Sequence, residues 1–171
     1  MDILRIPLRH YVHIKDTISN ITYLLEGAKN YALKSNEVLI LNLTPHIQLG
    51  NSQYVTIVNP VARNNEGQIL YESFGQVKLR WGEEEIRTDS DYKDPFPLYP
   101  GEQVRGKVSP FLIVQANEQL KLIAVRPFHD AIKNKDRKPG DKWMVRGPIN
   151  YIPRIEANLV KKIPLFIRWV K

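Results

Sequence analysis

The chain has 171 residues, 43% hydrophobic and 25% charged, which is enough for one ordinary domain or a few small repeat units. It contains no cysteine, which excludes a disulfide framework, a thiolate metal site and a cysteine nucleophile. The net charge of +7 is concentrated late in the chain, because residues 121–171 hold 13 Lys and Arg against 4 Asp and Glu.

The first ten residues do not have the pattern of a signal peptide. Arg5, Pro7 and Arg9 interrupt any apolar run there. No stretch of the sequence approaches the length needed to span a membrane. We therefore expect no membrane partner and a location in the cytoplasm, with the nucleus as an additional location.

Short strands and turns are predicted over the first fifty residues. Residues 8–14 are strand-like, residues 16–20 form a polar turn, and residues 21–25 read as the returning strand. Residues 26–36 fit either a helix or a turn followed by a strand, and we favour the second. Residues 38–43 are almost wholly apolar and predict one buried strand.

The middle of the chain repeats this pattern and adds to it. Residues 54–57 (Tyr-Val-Thr-Ile) match residues 11–14 (Tyr-Val-His-Ile), which indicates a duplication. A turn at 64–67 separates predicted strands at 69–74 and 76–81, an inserted hairpin that the first unit lacks.

A third unit is predicted after residue 110. Strands are expected at 111–114 and 120–125, followed by a long basic loop at 128–141. Residues 159–163 form its last strand, and residues 164–171 have the pattern of the opening strand of a further unit.

Residues 94–102 form a proline-rich segment that we expect to be rigid and extended, because proline fixes φ and restricts the residue before it. Its aromatic and apolar side chains are candidate anchors, and we expect Phe96, together with Leu98 or Tyr99, to be buried between the second and third units. The motif comprises Asp94, Pro95, Phe96, Pro97, Leu98, Tyr99, Pro100 and Gly101.

The same spacing recurs elsewhere in the chain. Gly147, Pro148, Tyr151 and Pro153 repeat it, and residues 27–33 form a degenerate copy without prolines. We therefore predict an all-β fold of tandem small antiparallel β-sheet repeats. The predicted boundaries are 1–50, 51–109 with the inserted hairpin, 110–163, and 164–171 as the truncated start of a fourth repeat.

Several of these runs resemble the amino-terminal repeats of the major vault protein family. They are residues 5–7, 54–61, 75–80, 94–102 and 147–154, and the resemblance covers nearly the whole chain in register. It implies small antiparallel β-sheet domains that stand side by side, like barrel staves, in the shell of a large hollow ribonucleoprotein particle. It also implies that this chain is a fragment or a truncated relative, because the family's shoulder domain and coiled coil lie beyond residue 171.

From this resemblance we expect lateral self-association, contact between two half-shells through the first repeat, other vault proteins as partners, and a role as a scaffold for signalling or transport cargo. The charge asymmetry suggests two unlike sides for the lateral contact. The candidate acidic side is Glu83, Glu84, Glu85, Asp89 and Asp91, although a solvated edge is the simpler interpretation. The candidate basic side is Lys133, Lys135, Arg137 and Lys138.

No catalytic, cofactor or metal site is predicted. The four histidines have no ligand-like spacing, and the sequence shows no nucleophile elbow or phosphate loop. In some family members the loop at 130–141 is acidic and has been discussed as a calcium site. Here lysines and arginines separate its carboxylates, so calcium binding is not predicted.

Direct nucleic-acid binding through the basic residues 133–142 is the alternative function. It is disfavoured because the sequence lacks the aromatic motif of the common RNA-binding sheet and a recognisable helix for a DNA groove.

Overall fold

The computed structural model describes residues 3–165, and every regular element in that range is a β-strand. The described residues accordingly contain no helix long and apolar enough to cross a membrane. The strands are β1 (Ile3–Ile6), β2 (His10–Asp16), β3 (Thr22–Glu26), β4 (Lys29–Ala32), β5 (Glu37–Pro45), β6 (Gln53–Val58), β7 (Glu84–Thr88), β8 (Gln103–Pro110), β9 (Leu112–Val114), β10 (Glu118–Ala124), β11 (Phe128–Asp130), β12 (Lys135–Arg137), β13 (Lys142–Arg146), β14 (Ile149–Tyr151) and β15 (Ala157–Pro164). The predicted all-β class is therefore confirmed.

The chain divides into two compact units, Met1–Val108 and Ser109–Lys171. The first unit contains the two predicted repeats at 1–50 and 51–109, apart from the last residue of the second. The second unit contains the predicted third repeat. The repeat boundaries inside the first unit stay a prediction.

The first repeat consists of a three-stranded antiparallel sheet and a short strand pair. The sheet has the order β3-β2-β5, and β1 pairs with β4. Alternation along β2 directs Val12 and Ile14 to the same face, where they meet Ile6 from β1. These three side chains are almost fully buried and form the core of the repeat.

The second repeat has the same arrangement. Its sheet has the order β7-β6-β8, and a single bridge between Ile47 and Phe96 takes the place of the short strand pair. Val55 and Ile57 of β6 are fully buried and pack with Phe96 and Leu49. The core of this repeat therefore uses the same face of its central strand as the first.

The inserted segment of the second repeat is less regular than predicted. Residues 69–74 and 76–81 were expected to be strands, but the structure shows isolated bridges, among them Val61 to Leu79 and Tyr71 to Val77. Gly67 and Gly75 both have positive φ and turn the chain too often for a continuous ladder. Val61, Val77 and Leu79 still form a small separate core.

The third repeat has the sheet order β13-β10-β15 and the strand pair β9–β14. Its core contains Val114, Leu120, Leu122 and Tyr151. The segment at 128–141 was expected to be a loop, but it contains the hairpin β11–β12. The hairpin is formed by only three residues on each side, which is too short for a clear alternation in the sequence.

The registers of the first and third repeats coincide around the buried centre of the sheet and in the short strand pair. In the first repeat Ile14 lies opposite both Tyr23 and Leu39. In the third repeat Leu122 lies opposite both Trp143 and Leu159. The short pairs agree as well, with Tyr31 opposite Leu4 and Tyr151 opposite Leu112. The spacing noticed in the sequence thus reflects equivalent positions in space.

Two other expectations concern the proline segment and the end of the chain. Phe96 is buried, but within the core of the second repeat and against Tyr92, not between the second and third units. Its bridge is to Ile47, which packs in the same core although the predicted boundary at residue 50 assigns it to the first repeat. Of the predicted fourth repeat, residues 166–171 lie outside the described part of the chain.

Gly27 and Gly147 occupy equivalent places where two backbone segments come very close. A Cβ on Gly27 would lie 1.9 Å from the carbonyl oxygen of Pro7, and a Cβ on Gly147 would lie 1.9 Å from that of Gln115. Real side chains never approach backbone atoms so closely. Both glycines are therefore required for the short strand pair to close over the sheet.

We expect Gly27→Ala to destabilise the first unit by about 1–3 kcal/mol, since the added methyl group must displace backbone atoms. The matched control is Gly50→Ala, whose Cβ would contact only the flexible side chain of Gln53. Urea unfolding of the two variants measures the difference. Equal stability of the two would show that the contact at Gly27 relaxes without cost.

Candidate functional site

A buried carboxylate, that of Glu102, connects three parts of the second repeat. It accepts hydrogen bonds from the backbone N–H of Val61 (3.1 Å) and of Tyr99 (2.8 Å). It also accepts a hydrogen bond from the guanidinium of Arg87. The inserted segment, the proline segment and β7 are thereby held together at one point.

Arg87 is the largest fully buried side chain of the described residues, at 2% exposure. Its Nε donates to Glu85 at 2.8 Å, and its guanidinium lies 5.1 Å from the ring centre of Tyr92 and 5.2 Å from that of Phe96. Burial disfavours its charge, but the attraction of Glu102 and Glu85 outweighs burial and raises the pKa of Arg87. The proline segment is therefore anchored by a charge as well as by apolar contacts.

The two repeats of the first unit are connected by side-chain hydrogen bonds. His13 of β2 hydrogen-bonds the carbonyl oxygen of Leu98 at 2.7 Å. The side-chain amide of Gln76 accepts a hydrogen bond from the backbone N–H of Thr22 (2.9 Å) and donates one to its carbonyl (2.8 Å). The insertion and the proline segment thus contact the sheet of the first repeat, which explains why the two repeats form one compact unit.

The predicted acidic side is largely neutralised inside the first unit. Glu83 and Glu85 pair with Arg80 at 2.8 and 2.9 Å, and Glu84 pairs with Arg105. The two aspartates also have partners: Asp89 accepts from the backbone N–H of Ser52 (2.9 Å), and Asp91 accepts from the hydroxyl of Thr88 (2.9 Å). These residues do not form the free acidic surface that the sequence suggested, and their contact with a neighbour stays a prediction.

The predicted basic side loses one member. Arg137 was expected at the surface, but it is 7% exposed, and its guanidinium donates to Asp130 at 2.8 and 3.1 Å. It also covers the ring of Trp143 at 4.5 Å. Burial works against the charge of Asp130, but the hydrogen bonds from Arg137 prevail and lower the pKa of Asp130.

The remaining basic residues and the nearby carboxylates lie on the β11–β12 hairpin and the turn that follows it. Lys133, Lys135 and Lys138 are exposed. Asp136 pairs with His129, and Asp141 accepts a hydrogen bond from the backbone N–H of Lys138. Within residues 3–165 no group of three or more His, Asp or Glu is placed to hold a metal ion.

The last strand of each repeat lies at the edge of its sheet and presents apolar side chains. On β5 the exposed fractions are 48% for Val38, 56% for Ile40 and 47% for Leu43. The sequence predicted this run as a buried strand, and that interpretation is wrong for these three residues. An all-apolar run cannot show which of its two faces is covered, because both faces satisfy the pattern.

The equivalent strands β8 and β15 are edge strands too. Val104 of β8 is 36% exposed, and Leu159 and Val160 of β15 are each 46% exposed. An exposed edge strand offers unpaired backbone groups to another chain, and apolar side chains add area for contact. These edges are the best candidate surface for association, and no sequence signal distinguished them from buried strands.

The structure defines an all-β protein of tandem repeats, each built on a three-stranded antiparallel sheet, with a short strand pair in the first and third repeats and a single bridge in the second. Two segments, residues 46–108 and 112–154, match family models described as the Major Vault Protein repeat domain. The chain belongs to the major vault protein family, as the resemblance of its repeats indicated.

Curated relatives align with nearly the whole chain. It is 37% identical over 161 residues to major vault protein alpha of Dictyostelium discoideum, covering 94% of this chain and 18% of the relative. It is 40% identical over 155 residues to major vault protein of Strongylocentrotus purpuratus, covering 91% of this chain and 18% of the relative. It is 38% identical over 162 residues to major vault protein of Homo sapiens, covering 94% of this chain and 18% of the relative. The chain thus spans about a fifth of the length of these relatives.

Replacing Glu102 by Ala tests the buried ion pair. We expect a loss of about 3–5 kcal/mol in unfolding free energy, because the charge of Arg87 stays buried without its partner. Glu83→Ala removes a more exposed partner of Arg80 and is the control, with an expected loss of no more than about 1 kcal/mol. Similar losses in the two variants, measured by urea unfolding, would contradict a special role for Glu102.

We expect the free energy of unfolding of the first unit to fall at acid pH because His13 becomes protonated. Burial lowers the pKa of His13, an effect only partly offset by its hydrogen bond to Leu98. The unfolded chain therefore binds a proton more readily, so stability falls as the pH drops below about 6.5 and levels off below the folded-state pKa. Hydrogen exchange of β2 should show this acid dependence in the parent chain and in His10→Gln but reduced in His13→Gln. An unchanged dependence in His13→Gln would assign it to other groups.

Proposed function

We propose that this chain supplies wall sequence of a vault shell and that its repeats associate side by side through their edge strands. Membership of a structural family supports the general role. The observation that carries the finer proposal is the repeated edge strand, which exposes aliphatic side chains in all three repeats.

The partner that fits these edges is a second copy of the chain. A stave in a closed wall contacts unlike surfaces on its two sides, which gives a heterologous contact. Each three-stranded sheet has two different edges, for example β3 and β5 in the first repeat. The open edge is β5, since the outward backbone groups of Thr22 on β3 already bond Gln76. Pairing of β5 with a neighbouring copy satisfies the backbone groups of β5 and covers Val38 and Ile40.

Charge has a smaller part in this proposal than apolar contact. The glutamates at 83–85 already have arginine partners, and exposed ion pairs contribute only about 0–1 kcal/mol. The exposed Lys133, Lys135 and Lys138 can select the register of a neighbour without supplying most of the affinity.

The other elements of the proposal rest on the family. Contact between half-shells is assigned to the first repeat, where Ile3 and Leu8 are 62% and 68% exposed. Other vault proteins and signalling or transport cargo are the proposed partners, in the cytoplasm and also in the nucleus. A structural role without catalysis is proposed for the chain.

Concentration-dependent self-association of the 171-residue chain, measured by sedimentation velocity, tests the edge-strand contact. We expect weak association that Ile40→Glu abolishes, since a charge on the edge strand opposes pairing. Ile18→Glu is the matched control, because Ile18 is 82% exposed but lies in the turn after β2. Equal association of the two variants would exclude β5 as the contact.

The same preparation distinguishes the alternative function. Direct binding of nucleic acid through residues 133–142 would appear as affinity for generic RNA that falls steeply with salt. We expect no such binding at physiological salt. Salt-dependent binding that is lost when Lys133, Lys135 and Lys138 become Gln would support the alternative and oppose a purely structural role.

A further inference from the structure

The third repeat contains a cavity of about 220 Å³ that the shell function does not use. It lies within the second unit, and β10, the β11–β12 hairpin, β13 and β14 supply its walls. Three of the side chains that line it are aromatic. The principal apolar lining residues are Leu122, Phe128, Trp143, Val145, Ile149 and Tyr151.

Tyr151 brings an unsatisfied donor to this cavity. The residue is 9% exposed, and its hydroxyl has no hydrogen-bond partner among the described residues. Buried hydroxyl groups are almost always hydrogen-bonded, because leaving one without a partner costs the energy of its desolvation. Burial also raises the pKa of Tyr151, so the group stays a neutral donor.

The first repeat shows how this position is satisfied elsewhere in the chain. Tyr31 is the equivalent of Tyr151, since each lies in the same register of its short strand pair. The hydroxyl of Tyr31 lies 2.9 Å from Glu37 Oε1 and 3.1 Å from the hydroxyl of Tyr23. The tyrosine in the first repeat is therefore bonded to a carboxylate from within the fold.

The third repeat has lost that carboxylate. Ala157 stands where the first repeat has Glu37, because each is the first residue of its edge strand and pairs at the same register. Trp143 stands where the first repeat has Tyr23. No acceptor from these two positions reaches Tyr151, so the acceptor must come from elsewhere.

Two arginines hold the aromatic walls of the cavity in place, and their charges are already paired: Arg137 with Asp130, which also lines the cavity, and Arg154 with Glu156. Arg137, fixed by Asp130, covers the ring of Trp143, and the guanidinium of Arg154 lies 4.5 Å from the ring centre of Phe128. Such contacts keep both aromatic rings in position before any ligand enters.

Two further cations line the same cavity, Lys133 and Arg146. Both are exposed, and neither has a carboxylate partner in the described part of the chain. Aromatic walls, a buried donor and unpaired cations at the surface together fit a flat anion that also carries a hydrogen-bond acceptor.

We propose that this cavity binds a small aromatic carboxylate bearing a second oxygen substituent. The ring packs against Trp143 and Phe128, the substituent oxygen accepts the hydrogen bond of Tyr151, and the carboxylate faces Lys133 and Arg146. The volume suits a single substituted ring, because a cavity of about 150 Å³ in another protein admits benzene.

The experiment titrates the full chain with 4-hydroxybenzoate and follows the fluorescence of Trp143 after Trp81→Phe and Trp169→Phe. We expect saturable quenching. Benzoate, which lacks the acceptor, and phenol, which lacks the carboxylate, should each bind about tenfold more weakly, the effect of roughly one hydrogen bond or ion pair. No saturation up to about 10 mM, or equal binding of all three compounds, would overturn the proposal.

Two variants assign the contacts. Tyr151→Phe should remove the preference for 4-hydroxybenzoate over benzoate, and Lys133→Gln with Arg146→Gln should remove its preference over phenol. Neither change removes a core contact, and Phe keeps the ring of Tyr151, so the fold should be retained. A preference that survives in both variants would show that the compound binds elsewhere.

Ala157→Glu is a further test because it restores the carboxylate of the first repeat. If the variant stays folded, as judged by its amide NMR spectrum, 4-hydroxybenzoate should no longer bind with preference over benzoate. If it does not fold, Tyr151→Phe decides, and retained discrimination in that variant would contradict the proposal.

Discussion

The carboxylate of Glu102 is the constraint on which the second repeat depends. A buried arginine is tolerated only with a fixed counter-charge and good hydrogen bonds, and Glu102 supplies both to Arg87. The same carboxylate holds the backbone at Val61 and Tyr99, so the insertion and the proline segment cannot shift separately. The prolines reduce the number of backbone conformations that the segment can adopt, and the ion pair stabilises one of these conformations.

The equivalent position takes a different form in each repeat. Glu37 makes the same turn contact as Glu102, since each carboxylate accepts from the N–H three residues earlier. In the first repeat it bonds Tyr23 and Tyr31, whereas in the second it holds an arginine. In the third repeat Ala157 offers no side-chain acceptor at all. The same backbone arrangement thus accompanies a polar network in the first repeat, a buried ion pair in the second and a cavity in the third, and the side chain at this position differs accordingly.

Sequence reasoning identified the repeats because they rest on local signals. The spacing from glycine to tyrosine is set by the close backbone approach at Gly27 and Gly147, and it survives the loss of the prolines. The burial of charged side chains could not be predicted from the sequence, because it depends on which strands pair across a turn. Arg137 was predicted as part of a basic side that contacts a neighbour, but the β11–β12 hairpin places it beside Asp130. The exposed face of β5 was hidden for a similar reason, since apolar residues occupy both faces of that strand.

The edge strands and the cavity place different demands on the same fold. An exposed apolar edge is unfavourable for a free monomer and suits the side-by-side association proposed above. An unsatisfied buried donor such as that of Tyr151 also lowers stability, but it contributes nothing to association at the surface. Departures from local consistency of this kind concentrate at functional sites in natural proteins. The absence of a carboxylate at Ala157 therefore fits an acceptor that arrives from outside the fold, because the hydroxyl of Tyr151 has no hydrogen-bond partner among the described residues.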